Sequence, residues 1–309
     1  MDLVFWIALI QTVLASTWRL ATPLIYASIG EVFTERSGVL NIGLEGIMLM
    51  GAFAGFAGTF YTGSLVLGLL IALGSGLLSG LLFALFTVTI KANQIVVGAA
   101  MNLVGLGLTG FLYRALFAGK AQGIQTFGPL NLPWLRDLPL VGEVLFRHNL
   151  LVYGTVLLVL VASFVLYRTA FGLSTRSVGE HPRAADTVGI NVVRMRYVGI
   201  LIGTTLTALG GAYLTMAHTN QFVEGLTTGR GFIALAVVVF GRWSPKGAFW
   251  ASMLFGLFFA LQLRLQAMSA LNIPYQFLQV LPYVMTLLVL ISLRGRAAMP
   301  KALGVPYEH

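Results

Sequence analysis

The chain has 309 residues, 58% hydrophobic and only 9% charged, with a mean hydropathy of +0.89. Soluble domains carry about 25% charged residues, so the composition excludes an ordinary soluble enzyme and points to an integral membrane protein. The formal net charge of +9 does not indicate nucleic acid, because the basic residues fall at the ends of apolar segments and not on one soluble face; the absence of cysteine excludes disulfides, thiolate metal sites and cysteine nucleophiles.

In chain order the apolar segments are Leu3–Ile29, Ile42–Tyr61, Ser64–Ile90, Ile95–Phe117, Leu150–Tyr167, Val198–Ala217, Phe232–Gly241, Ala248–Leu265 and Tyr275–Leu293. A crossing helix needs about 20 residues, so the pattern predicts an all-α, polytopic bundle of about nine (8–10) transmembrane helices in one domain, 1–309. Two segments are awkward. Arg19 and Pro23 interrupt the first, which begins with Asp2 and is read as a retained span and not a secretory signal. Phe232–Gly241 is too short to cross alone, and is either lengthened by Gly229 and Gly231 or a half-helix buried among its neighbours.

Small residues recur at every fourth position in three segments. The ladders are Gly68, Ala72, Gly76, Gly80 and Ala84; Gly199, Gly203, Thr207 and Gly211; and Ala248, Ser252, Gly256 and Ala260. Residues four apart share a helix face, so each ladder predicts a flat groove for a neighbouring backbone. The loop 118–149 carries Pro129, Pro133 and Pro139, with amphipathic pieces at 132–135 and 141–146. It suits a cap over the outer mouth or a contact with a binding partner.

The run 168–196 contains five arginines that no bilayer would accept. Within it Pro182 fits the first position of a short helix and Gly189 its left-handed stop, with Asn191 as N-cap of the next helix. A rigid capped helix is either a dock for another protein or a connection that turns the chain. Placing this loop in the cytoplasm puts twelve of the 19 basic residues on that side and six opposite, with Arg19 inside a span. That bias predicts a cytoplasmic C-terminus and an outside N-terminus.

Chemistry is sparse. No GxxxxGKS or GxxxxGKT occurs, so the chain has no phosphate-cradling loop of that kind, and His148, His181, His218 and His309 lack metal-ligand spacing. Neither a cofactor nor a metal is expected, and no catalytic pair is found. Glu45 is the only acid inside an apolar segment. It is either a permeation-path or gating residue, or a buried anchor satisfying backbone groups around Asn41 and Gly43. Asn102 is either an interhelical hydrogen bond or a ligand contact. Such neutral polar residues suit passage of an uncharged polar solute. A secondary transporter would be expected to show more coupling acids.

Three stretches carry a resemblance: Gly30–Phe53 (GEVFTERSGVLNIGLEGIMLMGAF), Thr175–Tyr197 (TRSVGEHPRAADTVGINVVRMRY) and Gly229–Ala248 (GRGFIALAVVVFGRWSPKGA). Together the chain resembles the transmembrane permeases of bacterial ABC importers with a type II-like fold. It is most similar to the nucleoside and simple-sugar branch of the branched-chain amino acid and ribose permease superfamily. The resemblance implies that 168–196 is a cytoplasmic coupling loop whose short helix sits in a cleft of an ATPase subunit. Glu180, Pro182, Arg183, Ala184, Ala185, Gly189 and Ile190 fall on it. It further implies a second permease chain, often a different one, an extracytoplasmic and often lipid-anchored binding protein, and residence in the bacterial inner membrane. A nucleoside is the solute it favours, with a simple sugar as the alternative; Asn41, Glu45 and Asn102 are the candidate path residues.

Overall fold

The computed structural model describes residues 3–118, 123–130, 141–267, 280, 284 and 299–308. The last predicted span, Tyr275–Leu293, therefore lies almost wholly outside the described residues, as does the amphipathic piece 132–135. Among the described residues the fold is helical, with a single isolated bridge between Pro129 and Asn149.

Helix α1 runs unbroken over Leu3–Arg36, 34 residues or about 51 Å at the α-helical rise. This corrects the expected interruption at Arg19 and Pro23. Proline removes one backbone donor, but inside a packed bundle the neighbouring helices restore what is lost. Thr22 Oγ1 donates to the Trp18 carbonyl at 2.9 Å beside the proline, and Gly210 of a neighbouring helix packs against the Pro23 carbonyl.

Helices α2 (Leu44–Thr62), α3 (Leu65–Ala84, extended by a π-turn over Leu85–Thr89) and α4 (Gln94–Phe117) follow. After the short α5 (Val141–Leu145) come α6 (Leu150–Arg168), α7 (Ala170–Glu180) and α8 (Pro182–Thr187). The chain then continues through α9 (Val192–Tyr213, with a π-turn over Leu214–Thr219), α10 (Arg230–Phe240) and α11 (Pro245–Ala267). Side-chain caps start several of them. Ser64 accepts from Leu67 N, Asn93 from Ile95 N and Val96 N, Asn149 from Val152 N and Asn191 from Arg194 N.

Six of these helices are long and apolar enough to cross a membrane. In α2 and α9, 67% of the apolar window is buried, against 28% in α3 and α4, so the first pair forms the interior and the second pair faces outward. The arginine-rich run is more helical than the sequence suggested, because α7 precedes the short helix. Of the proline-rich loop, 123–130 lies over the end of α9, where Ile124 N donates to the Asn220 carbonyl and Phe127 N to Met216, both at 2.9 Å.

The three small-residue ladders sit at helix crossings. On α3, Gly76 and Gly80 meet Thr204 and Ala208 of α9, while Gly68 meets Thr59 of α2. On α9, Gly199 and Gly203 meet Ser37, Gly30 and Thr34 at the end of α1, and Gly211 meets the Met48 carbonyl of α2. On α11, Gly256 lies on Thr17 and Ala21 of α1, and Ser252 Oγ is 3.3 Å from Ser28 Oγ. Such approaches replace the hydrophobic drive that lipid cannot supply.

A side chain at Gly211 would overlap the Met48 carbonyl, whereas one at Gly74 would meet nothing. Gly211→Val is expected to destabilise the bundle by about 2–3 kcal/mol or more, the cost of overpacking. Gly74→Ala is expected to leave it unchanged or slightly firmer. Thermal unfolding in detergent measures both.

Candidate functional site

Non-helical backbone is tolerated at membrane depth only where protein groups take up its hydrogen bonds. Two such breaks occur among the described residues, and the polar residues singled out in the sequence serve them. The first is 37–43, between α1 and α2. Asn41 N donates to Glu31 Oε1 at 3.0 Å, and Leu40 N to Gln94 Oε1 at 2.7 Å. Gly43 N donates to Asn41 Oδ1 at 2.9 Å. Asn102 spans the break, accepting from Gly46 N at 2.8 Å and donating to the Ile42 carbonyl at 3.0 Å. It sits eight residues into α4, about 12 Å along that helix. The α2 N-terminus thus begins well inside the bundle.

The second break, 220–229, ends at Gly229, whose φ of +84° opens α10. At 11 residues α10 is about 16 Å long, a half-span. Its first N–H groups have no intrahelical partner. Glu45, in the first turn of α2, takes them: Oε1 accepts from Gly229 N at 2.8 Å and Thr227 Oγ1 at 2.5 Å, and Oε2 accepts from Gly231 N at 2.7 Å. Gly231 rests directly on the Glu45 backbone, a contact only glycine permits. One carboxylate therefore lies between two helix N-termini, where the helix dipoles favour negative charge. The anchoring geometry differs from that expected, since Glu45 serves residues 227–231 and not Asn41 and Gly43.

Glu45 is not alone. Glu31 and Glu35, one turn apart on α1, are 0% and 2% exposed. Both lie beyond the apolar segment that ends at Ile29, so the expectation of Glu45 as the one interior acid is corrected: α1 carries two more. The signal was their spacing of four, with apolar residues flanking Glu31. Glu35 accepts from the Trp243 indole, and Arg36 Nε donates to the Trp243 carbonyl at 2.9 Å. These bonds hold Arg242 and Trp243, both at φ +52°, in the strained turn that joins α10 to α11.

At the same end of the bundle lies the arginine-rich run. Pro182 is the first residue of α8, Gly189 has φ +85° after it, and Ile190 N donates back to the Ala185 carbonyl at 3.0 Å. Arg183 and Ala184 are exposed. Ala185 is buried with Val178, Val192 and Tyr307, and Ile190 packs against the same cluster. The two alanines therefore face opposite ways. Glu180 reaches Arg36 at 3.9 Å, and Gly179 lies against the Arg36 carbonyl, so α7 ends on the end of α1. No group of three or more His, Cys, Asp or Glu side chains is placed to hold a metal ion among the described residues.

Glu45→Gln keeps the shape but turns one acceptor towards N–H groups as a donor. It is expected to lower stability by about 1–3 kcal/mol. Thr227→Val, which removes one bond to the same carboxylate, should cost about 1 kcal/mol. A larger loss in Thr227→Val than in Glu45→Gln, in detergent unfolding, would contradict this ranking.

Comparison with known proteins agrees with this architecture. Residues 13–290 match the family described as branched-chain amino acid transport system / permease component. The chain is 39% identical over 315 residues to the guanosine ABC transporter permease protein NupQ of Bacillus subtilis, covering 97% of this chain and 98% of the relative. It is 40% identical over 309 residues to the nucleoside ABC transporter permease protein NupC of Lactococcus lactis, covering 96% and 97%. The putative glucose ABC transporter permease protein TsgC13 of Haloferax volcanii is 40% identical over 257 residues, covering 83% of this chain and 78% of the relative. No solved structure matches. With that coverage and those helices, the chain is a multi-pass membrane protein belonging to the branched-chain amino acid transport system permease component family.

Proposed function

We propose that the chain is the permease subunit of an ATP-driven ABC importer and carries a nucleoside across the inner membrane. The observation that carries the mechanism is α8, a short helix bounded by Pro182 and Gly189 on the basic end, with Ala184 exposed. The substrate class rests on the two relatives named for guanosine and nucleoside, each matched over nearly its whole length. The glucose-named relative supports a simple sugar as the second reading.

In this reading the loop 168–196 and the C-terminus face the cytoplasm, where an ATPase subunit receives α8. Pro182 and Gly189 set the ends of the helix, and Arg183 and Ala184 meet the partner. Ala185 and Ile190 fasten the helix from behind, and Glu180 connects it to α1 through Arg36. An extracytoplasmic binding protein delivers the solute at the 118–149 side, and a second permease chain completes the route. The two helix breaks lie beside that route. Asn41, Glu45 and Asn102 fix its shape, and a change in any of them alters passage by moving a helix start.

Ala184→Glu is expected to insert at normal abundance and to cut uptake of labelled guanosine at least about tenfold, on the scale of a lost interface contact. The ATPase subunit should be lost from the purified complex, or its hydrolysis freed from uptake. Normal uptake would remove α8 as the dock. Ala185→Glu buries a charge and should instead lower abundance. Competition by unlabelled glucose, and none by nucleosides, would transfer the substrate to the sugar reading.

Sidedness is tested separately on this cysteine-free chain. With an impermeant maleimide on intact cells, Gln125→Cys should label and Arg183→Cys should not. The reverse pattern would invert the bundle.

A further inference from the structure

The segment Met299–Glu308 returns to the arginine-rich end and touches four elements. Gly304 N donates to the Gly38 carbonyl at 3.3 Å, just beyond α1. Ala302 N donates to the Gly179 carbonyl at 2.9 Å, at the end of α7. The Val305 carbonyl accepts from Arg196 Nη1 of α9 at 3.0 Å. Tyr307, buried in the cluster of Val178, Ala185 and Val192, gives its hydroxyl to the carboxylate of Asp186 on α8.

Arg196 makes this contact more than incidental packing. Its side chain is 1% exposed, and Nε and Nη2 have no hydrogen-bond partner among the described residues. A buried guanidinium stripped of acceptors is strongly disfavoured, so the Val305 carbonyl is the group that makes its position tolerable. Gly38, at φ +86°, leaves room for this arrangement, because a Cβ there would stand 3.2 Å from Arg196 Nη2 and 3.4 Å from the Ala302 carbonyl oxygen. On its own α8 has six residues and one buried side chain, Ala185. So short a helix has little intrinsic stability, and its place against α7 and α9 depends on what covers it.

We propose that Met299–Glu308 is a clamp that makes α8 rigid against α1, α7 and α9, with Tyr307 as the positioning residue and Arg196 as the post it closes on. The clamp rests on the reading of α8 as the ATPase dock and deepens it. Docking supplies the push, and the clamp converts that push into movement of α1. Without the clamp, α8 yields locally and the displacement at Ala184 dissipates before it reaches Arg36. The predicted defect is a loss of coupling, distinct from a loss of binding.

The test uses the full transporter, with ATPase subunit and binding protein, reconstituted in liposomes. Tyr307→Ala is expected to retain the ATPase subunit and to lower solute taken up per ATP hydrolysed at least fivefold. Amide exchange in the peptide spanning 182–190 should rise in the same complex, because the bonds of Ala185 N and Ile190 N would open more often. Tyr307→Phe keeps the ring and loses only the bond to Asp186; it should lower the ratio about twofold, and it decides the matter if Tyr307→Ala fails to insert. Glu308→Ala, exposed beside it, should behave as wild type. An unchanged ratio in the inserted Tyr307 variant overturns the clamp, as does loss of the ATPase subunit from it, which would make the segment a direct docking contact. Ala184→Glu in parallel separates the two readings. If it abolishes coupling while the Tyr307 variant does not, the dock stands and the clamp falls. If it leaves uptake normal, the dock itself has failed.

Discussion

Hydrocarbon offers no hydrogen bonds, so every backbone group inside it must find a partner in the protein. A continuous helix solves this internally, and a helix that stops inside the bundle does not. Among the described residues the chain stops twice in this way, at 37–43 and at 220–229, and much of its conspicuous polar chemistry follows from those stops. Glu31, Gln94, Asn41 and Asn102 take up the first set of exposed amides and carbonyls, and Glu45 takes up the second. The glycines have the complementary task. They let backbones approach until side chains from one helix can reach the main chain of the next, as Gly46 does against Met101 and Gly231 against Glu45.

The first helix ties these local solutions into one body. At its end Arg36 contacts the Trp243 turn and Glu180, and Glu35 takes the Trp243 indole. One turn earlier Glu31 holds the amide of Asn41, and three residues further on begins the helix whose carboxylate caps α10. Hydrogen bonds, with the Arg36–Glu180 ion pair as one step, therefore link the exposed α8 to both interior helix starts. Contiguity of this kind supplies a mechanical connection. Whether energy travels along it is decided by what both ends bias, not by proximity.

Much of this was legible in the sequence, for reasons that can be named. The long apolar runs, the fourth-position ladders and the Pro182–Gly189 punctuation are local signals, and each determines local geometry largely by itself. Glu31 and Glu35 escape a hydropathy reading, which ends the segment at Ile29, while α1 continues for another seven residues under cover of its neighbours. Arg196 was counted among loop charges for the same reason. The partner groups of Glu45 were illegible in principle, since residues 227–231 lie more than 180 positions away and nothing in either stretch names the other. The segment after Met299 carries no motif, and only its contacts reveal it.

The arrangement around Glu45 bears on the energy source of transport. Moving one elementary charge across 100 mV takes about 2.3 kcal/mol, so a fixed counter-ion exposed to the solute would make import respond to membrane voltage. Here both carboxylate oxygens are engaged by the protein's own amides, with a threonine hydroxyl added. Those three bonds tie the side chain into the scaffold at the two helix starts. A neutral solute, by contrast, produces no current, and the membrane field can neither drive nor brake its passage.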